Sequence, residues 1–99
     1  MALLSAGKLE TELSFLPLWT PRAKGIRRQF EFPSFKKAVA FVNRVARLAE
    51  EHDHHPDIDI RGTKVALTLT THSEGGLTDK DLELARELDA AYARETPLR

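Results

Sequence analysis

Cysteine is missing from this 99-residue sequence, and its absence removes several kinds of chemistry at once. Disulfide scaffolds, thiol nucleophiles and thiolate zinc sites all need it, and a chain without it is at home in a reducing compartment. Net charge is missing too: fifteen Lys and Arg balance fifteen Asp and Glu, so no global field draws the protein onto a phosphate backbone or an anionic bilayer. Neither nucleic acid nor membrane is an expected partner. The longest apolar runs fall far short of a membrane span, and the N-terminus has neither the basic segment nor the continuous apolar stretch of a signal peptide. No internal repeat or low-complexity segment interrupts the pattern. A soluble, cytoplasmic protein is the expectation that these absences leave.

What is present is the composition of an ordinary globular chain, 41% hydrophobic and 30% charged, with the size of one domain over residues 1–99. So small a domain buries a modest fraction of its surface, so self-association into a homodimer or homotetramer is expected.

Leu4, Leu9 and Leu13 mark a short amphipathic helix that must stop before Pro17. Ile26, Phe30 and Phe32 alternate with Arg27, Gln29 and Glu31 as a strand with one buried face, preceded by a turn over 21–25 and a brief strand around Leu18 and Trp19. Ser34 is placed to cap a long helix carrying Phe35, Ala38, Val39, Val42, Val45, Ala46 and Ala49, which runs to about Glu51 or Asp53 before Pro56. Phe41 and Leu48 widen its apolar arc beyond one core-facing stripe, so a second surface is expected to cover it.

Ile58 and Ile60, then Val65, Leu67 and Leu69, alternate with polar residues around Gly62-Thr63, which fits a two-residue type II′ hairpin. After Gly75-Gly76, Thr78 to Asp81 resembles a capping box for a last helix along Leu84, Ala85, Leu88 and Tyr92, and Pro97 falls in a tail. The order α-β-β-α-β-β-α contains two hairpins and no long crossover. It predicts an α+β fold, a four-stranded antiparallel sheet with three helices packed on one face.

All four histidines lie in Glu50-Glu51-His52-Asp53-His54-His55-Pro56-Asp57 and at His72. Imidazole exchanges protons near neutrality, so such a cluster suits acid–base chemistry, although a histidine at a helix end can also merely complement the macrodipole. If helical character persists to His54, Glu50 meets His54 on one face and Glu51 meets His55. His72 extends the polar face of Thr68 and Thr70, opposite Val65, Leu67 and Leu69. Neither His54 nor His72 is assigned to the core.

Glu50-x-x-x-His54-His55-Pro56, then Leu69-Thr70-Thr71-His72, then Gly76-Leu77-Thr78-x-x-Asp81, resembles the signature of the pterin-4a-carbinolamine dehydratases in order, residue type and spacing. Trp19, Phe30-x-Phe32 and the helix from Phe35 to Ala49 are also similar to that family, so the resemblance covers nearly the whole chain. It implies elimination of water from a 4a-hydroxytetrahydropterin to give a quinonoid dihydropterin, in support of tetrahydrobiopterin recycling for aromatic amino acid hydroxylation. The pterin is then the substrate, and neither metal nor other cofactor is needed. By the same resemblance His54 and His72 are catalytic candidates, His55 positions substrate, and Glu50 and Asp81 support. Gly62 stands where many members carry an aromatic residue.

Two other readings are open. A non-catalytic interaction module of the dimerisation-cofactor type would share the fold, and His52-x-His54 with His72 and nearby carboxylates could supply metal ligands.

Overall fold

Ser5 starts the first helix by accepting the Lys8 amide on its Oγ at 3.2 Å, and α1 (Ala6–Leu13) lays Leu9 and Leu13 against the core. The computed structural model describes residues 2–95, so Pro97 lies outside the described residues. Beyond α1 come β1 (Thr20–Arg22), β2 (Gly25–Glu31), α2 (Phe35–His52), β3 (Asp57–Arg61), β4 (Lys64–Leu69), a single 3₁₀ turn at His72–Glu74, and α3 (Asp79–Glu95). The strands pair in the order β1-β2-β4-β3, every neighbouring pair antiparallel, which is the predicted sheet.

The helices cover one face. Ile26 and Phe30 of β2 pair with Leu69 and Val65 of β4, and these residues join Phe41 and Val45 of α2 and Leu84 and Leu88 of α3 in one buried cluster. Ser34 caps α2 as expected, its Oγ accepting the Lys37 amide at 3.1 Å. Ala38, Phe41, Val45 and Ala49 form the buried stripe of α2, while Phe35 is 60% exposed and Val39 and Val42 are only half-buried. The wide apolar arc is therefore incompletely covered within one chain.

The first hairpin differs from expectation. Leu18 is exposed and Trp19 is buried in a turn closed by Trp19 N–H to the Leu16 carbonyl at 3.0 Å; the strand begins only at Thr20. The indole decides this, because it must reach the core and give its Nε1–H to Asp89 at 2.9 Å. Pro21 thus belongs to the strand rather than to the turn, tolerated at the sheet edge where no ladder donor is missed. The second hairpin follows the prediction. Gly62 has φ +61, Thr63 does not share a positive φ, and Arg61 pairs with Lys64, which defines the type II′ turn. A Cβ at position 62 would meet nothing within 4 Å, but an L residue there would be held at positive φ at a cost of about 1–3 kcal/mol.

Arg28 breaks the apolar row of β2 and points into the helix side. Its Nη1 donates to Asp89 Oδ1 at 2.6 Å, and its guanidinium lies 4.3 Å from the Phe30 ring centroid and 5.1 Å from that of Tyr92. A planar, weakly hydrated cation packed against two rings and paired with a carboxylate is the form in which a charge survives there. Removing Asp89 leaves that cation and the Trp19 N–H without their partner. Asp89→Ala is expected to cost about 3 kcal/mol. Asp59→Ala, which breaks an exposed pair with Arg61, should cost less than about 1 kcal/mol. Equal losses in equilibrium denaturant unfolding would contradict a structural role for the Arg28–Asp89 pair.

Candidate active site

Helix α2 ends in a geometry that separates two adjacent histidines. Asp53 takes the left-handed conformation, φ 49 and ψ 46; its amide reaches the Glu50 carbonyl at 3.2 Å, and the His54 amide reaches back to Ala49 at 3.0 Å. That pair of bonds is a Schellman stop with aspartate at the position glycine usually fills. Because the chain leaves the helical path at Asp53, the expected pairs Glu50–His54 and Glu51–His55 do not form. Instead the His55 Nε2 meets Glu50 Oε2 at 2.6 Å at the surface, and the His54 Nε2 meets Asp81 Oδ1 at 2.6 Å in the interior. The expectation that His54 stands outside the core is corrected as well, since it is 8% exposed. Burial is possible because its polar edge finds a carboxylate.

Asp81 is fully buried. Its Oδ2 accepts the Thr78 amide at 2.9 Å, the capping bond predicted for α3, and also the Thr71 hydroxyl at 2.7 Å. Thr71 Oγ1 lies 2.8 Å from Thr78 Oγ1; with its own proton committed to Asp81, Thr71 accepts the proton of Thr78. A carboxylate can only accept, so His54 carries its proton on Nε2 and keeps Nδ1 as the second ring nitrogen, which has no hydrogen-bond partner among the described residues. One carboxylate thus serves both as helix cap and as histidine orienter. Thr71 and Thr78 complete this network, and neither stood out in the sequence as a site residue. The available signal was the β4 alternation, which puts Thr71 on the core side, where a hydroxyl requires a partner.

His72 opens the 3₁₀ turn beyond β4 and is exposed, on the polar face as the alternation predicts. With Thr68, Thr70, Lys24, Gly25 and Gly75 it lines a cavity of about 310 Å³. Thr70 Oγ1 donates to the Lys24 carbonyl at 2.6 Å and holds the β1–β2 turn over this cavity. Gly25 is required there, since a Cβ would collide with the Leu69 carbonyl oxygen. The Thr71–Gly76 bridge closes the loop, so Thr71 faces Asp81 while its neighbour His72 faces the cavity. His55 is exposed in the coil between α2 and β3, held by Glu50, and does not line this cavity. His52 turns elsewhere, to Glu87 of α3 at 3.6 Å, so the ligand set suggested around His52 and His54 is not assembled.

The fold and this arrangement define a class: a small α+β protein with a histidine-centred polar site at one end of an antiparallel sheet. Residues 2–91 match the family model of pterin 4 alpha carbinolamine dehydratase, and the chain belongs to that family. A relative from Roseiflexus sp. (strain RS-1) is 54% identical over 87% of this chain and 92% of its own length. One from Mycobacteroides abscessus is 47% identical over 95% of this chain and its whole length. Both carry the name pterin-4-alpha-carbinolamine dehydratase as a provisional assignment. The crystal structure of a transcriptional coactivator/pterin dehydratase from Brucella melitensis is similar with a TM-score of 0.85 and 34% identity, covering 90% of this chain and 97% of that one. A pterin dehydratase-like protein described as a RuBisCO assembly factor in the alpha-carboxysome is similar with a TM-score of 0.63 and 27% identity, covering 75% and 86%.

The network assigns a tautomer that can be observed. Long-range ¹H–¹⁵N spectra should show neutral His54 protonated on Nε2, and Asp81→Ala should abolish that preference while destabilising the fold by more than about 1 kcal/mol. A His54 ring protonated on Nδ1 in the wild type would contradict the network.

Proposed function

We propose that this chain is a 4a-hydroxytetrahydropterin dehydratase, a carbon–oxygen lyase. The observation that carries the reading is the buried Asp81–His54 pair beside the loop of His72, which makes two imidazoles chemically unequal. The reaction requires that inequality. The C4a–O bond breaks and the hydroxyl leaves as water with a proton from one group; N5 gives its proton to another, and the N5 electron pair forms the C4a–N5 double bond. His54 takes the N5 proton on Nδ1, because Asp81 holds its far nitrogen and fixes the tautomer and orientation of the ring. His72, exposed at the cavity, protonates the leaving hydroxyl, and solvent exchange restores both rings. Each transfer contributes roughly 10²- to 10⁴-fold in rate. His55, steadied by Glu50, positions the substrate, and no metal or further cofactor takes part.

The same reading makes the protein a cytoplasmic participant in tetrahydrobiopterin recycling, and a homodimer or homotetramer. Support for association comes from Phe35 at 60%, Ile58 at 41% and Ile60 at 40% exposure. The two isoleucines lie on the helix side of the edge strand β3 and stay partly open to solvent among the described residues. Light scattering at micromolar concentration should therefore give at least twice the 11.2 kDa monomer mass, and a purely monomeric signal would contradict association.

Catalysis and stability are expected to separate by variant. His72→Ala should lower turnover of freshly generated 4a-hydroxytetrahydropterin by roughly 10²-fold or more without altering the melting temperature. His54→Ala should lose both activity and stability, because it strips a partner from buried Asp81. His54→Gln can keep a donor to Asp81, so it should regain stability but not turnover. Wild-type turnover by His72→Ala and His54→Gln would refute the assignment and favour a non-catalytic module.

A further inference from the structure

The bare face of the sheet carries a second depression, next to the His72 cavity and unused by the elimination. Its floor is Ala66, the small residue at the centre of β4, flanked across the ladder by Gln29 and Asp59. Arg27, Arg61 and Lys64 complete its lining, one from each of three strands, around about 560 Å³ of open space. Arg61 leans on Asp59 at 3.3 Å, whereas Arg27 and Lys64 make no ion pair among the described residues. The two depressions adjoin, because Arg27 of one is the ladder partner of Thr68, which lines the other.

Charge on this surface is uneven although the chain is neutral overall. Arg22 and Lys24 line the His72 cavity, so five cations stand against Asp59 alone along the two linings. Glu31, the ladder partner of Lys64, and Asp57, the ladder partner of Thr68, are on the same face but line neither depression. A pterin bicycle is uncharged and makes no use of such a field. From Thr70 to Ala66 is four residues of strand, about 14 Å at the usual rise. A substituent leaving a ring held near His72 would cross that distance over Thr68 and Arg27 and end among Arg27, Arg61 and Lys64. A depression in which three cations outnumber one carboxylate raises the local concentration of anions.

We infer that the substrates this site takes include pterins whose C6 side chain ends in an anionic group, phosphate or carboxylate, bound by Arg27, Arg61 and Lys64. This inference rests on the dehydratase reading above for the placement of the ring.

Calorimetric titration of the intact protein with three stable ligands tests it: neutral 7,8-dihydrobiopterin, 7,8-dihydroneopterin triphosphate and 7,8-dihydrofolate. At low ionic strength at least one anionic ligand should bind about tenfold more tightly than dihydrobiopterin, with the advantage shrinking as salt is added. Preference for the triphosphate assigns phosphate as the recognised group, and preference for dihydrofolate assigns carboxylate. Arg27→Gln with Lys64→Gln should remove the advantage and leave dihydrobiopterin affinity as it was, with the melting temperature checked alongside. Equal binding of all three by the wild type, or an advantage that survives the double substitution, overturns the inference and leaves the dehydratase reading standing. Failure of all three to bind the wild type removes both.

Discussion

A carboxylate stays enclosed in a protein only if its oxygens are met by protons, and Asp81 meets that demand with donors from separate parts of the chain. The Thr78 amide is local, the Thr71 hydroxyl comes from the exit of β4, and the His54 ring comes from the exit of α2. Helix start, strand end and helix end are thereby held to one another at a single point. Desolvation makes the arrangement obligatory, because a buried charge missing a partner is far more costly than a surface one. His54 is consequently fixed in position and in tautomer by the same contacts that begin α3.

Around that point the backbone sends neighbours to opposite sides. His54 goes inward and His55 outward; Thr71 goes inward and His72 outward. For His72 the device is ordinary strand alternation carried three residues past the end of β4. For His54 it is the left-handed Asp53, which stops α2 abruptly and leaves no further helical residue. The polar sheet face thus receives His72, the end of α2 holds His55 at the surface, and the core receives His54, the one that is anchored to Asp81. Arg28 and Asp89 form a comparable buried charge pair at a different place in the helix layer, joining β2 to α3 and supplying the acceptor for Trp19.

Much of this was legible in residue order. Alternation in Ile26–Phe32 and Val65–Leu69, the helical spacing of α2, the Ser34 cap and the Gly62-Thr63 turn all rest on interactions between residues close in sequence, and each appears where it was expected. The position of β1 was not legible, because Trp19 answers to Asp89, seventy residues away, rather than to its neighbours. Arg28 was equally opaque: a charged residue in a core row makes sense only with two rings and a carboxylate from other elements around it.

By itself, the sequence determined the fold class, the family resemblance and the set of candidate residues, since periodicity, caps and motif spacing are properties of short stretches. It could pair Glu50 with His54 and Glu51 with His55 only by assuming where the helix stops. Tertiary structure decided the pairing, giving His55 to Glu50 and His54 to Asp81, and made His54 a buried residue. The physical reason is that one residue at positive φ redirects every side chain after it. Which acceptor a buried imidazole then meets depends on the packing of α3, an element that begins 25 residues later.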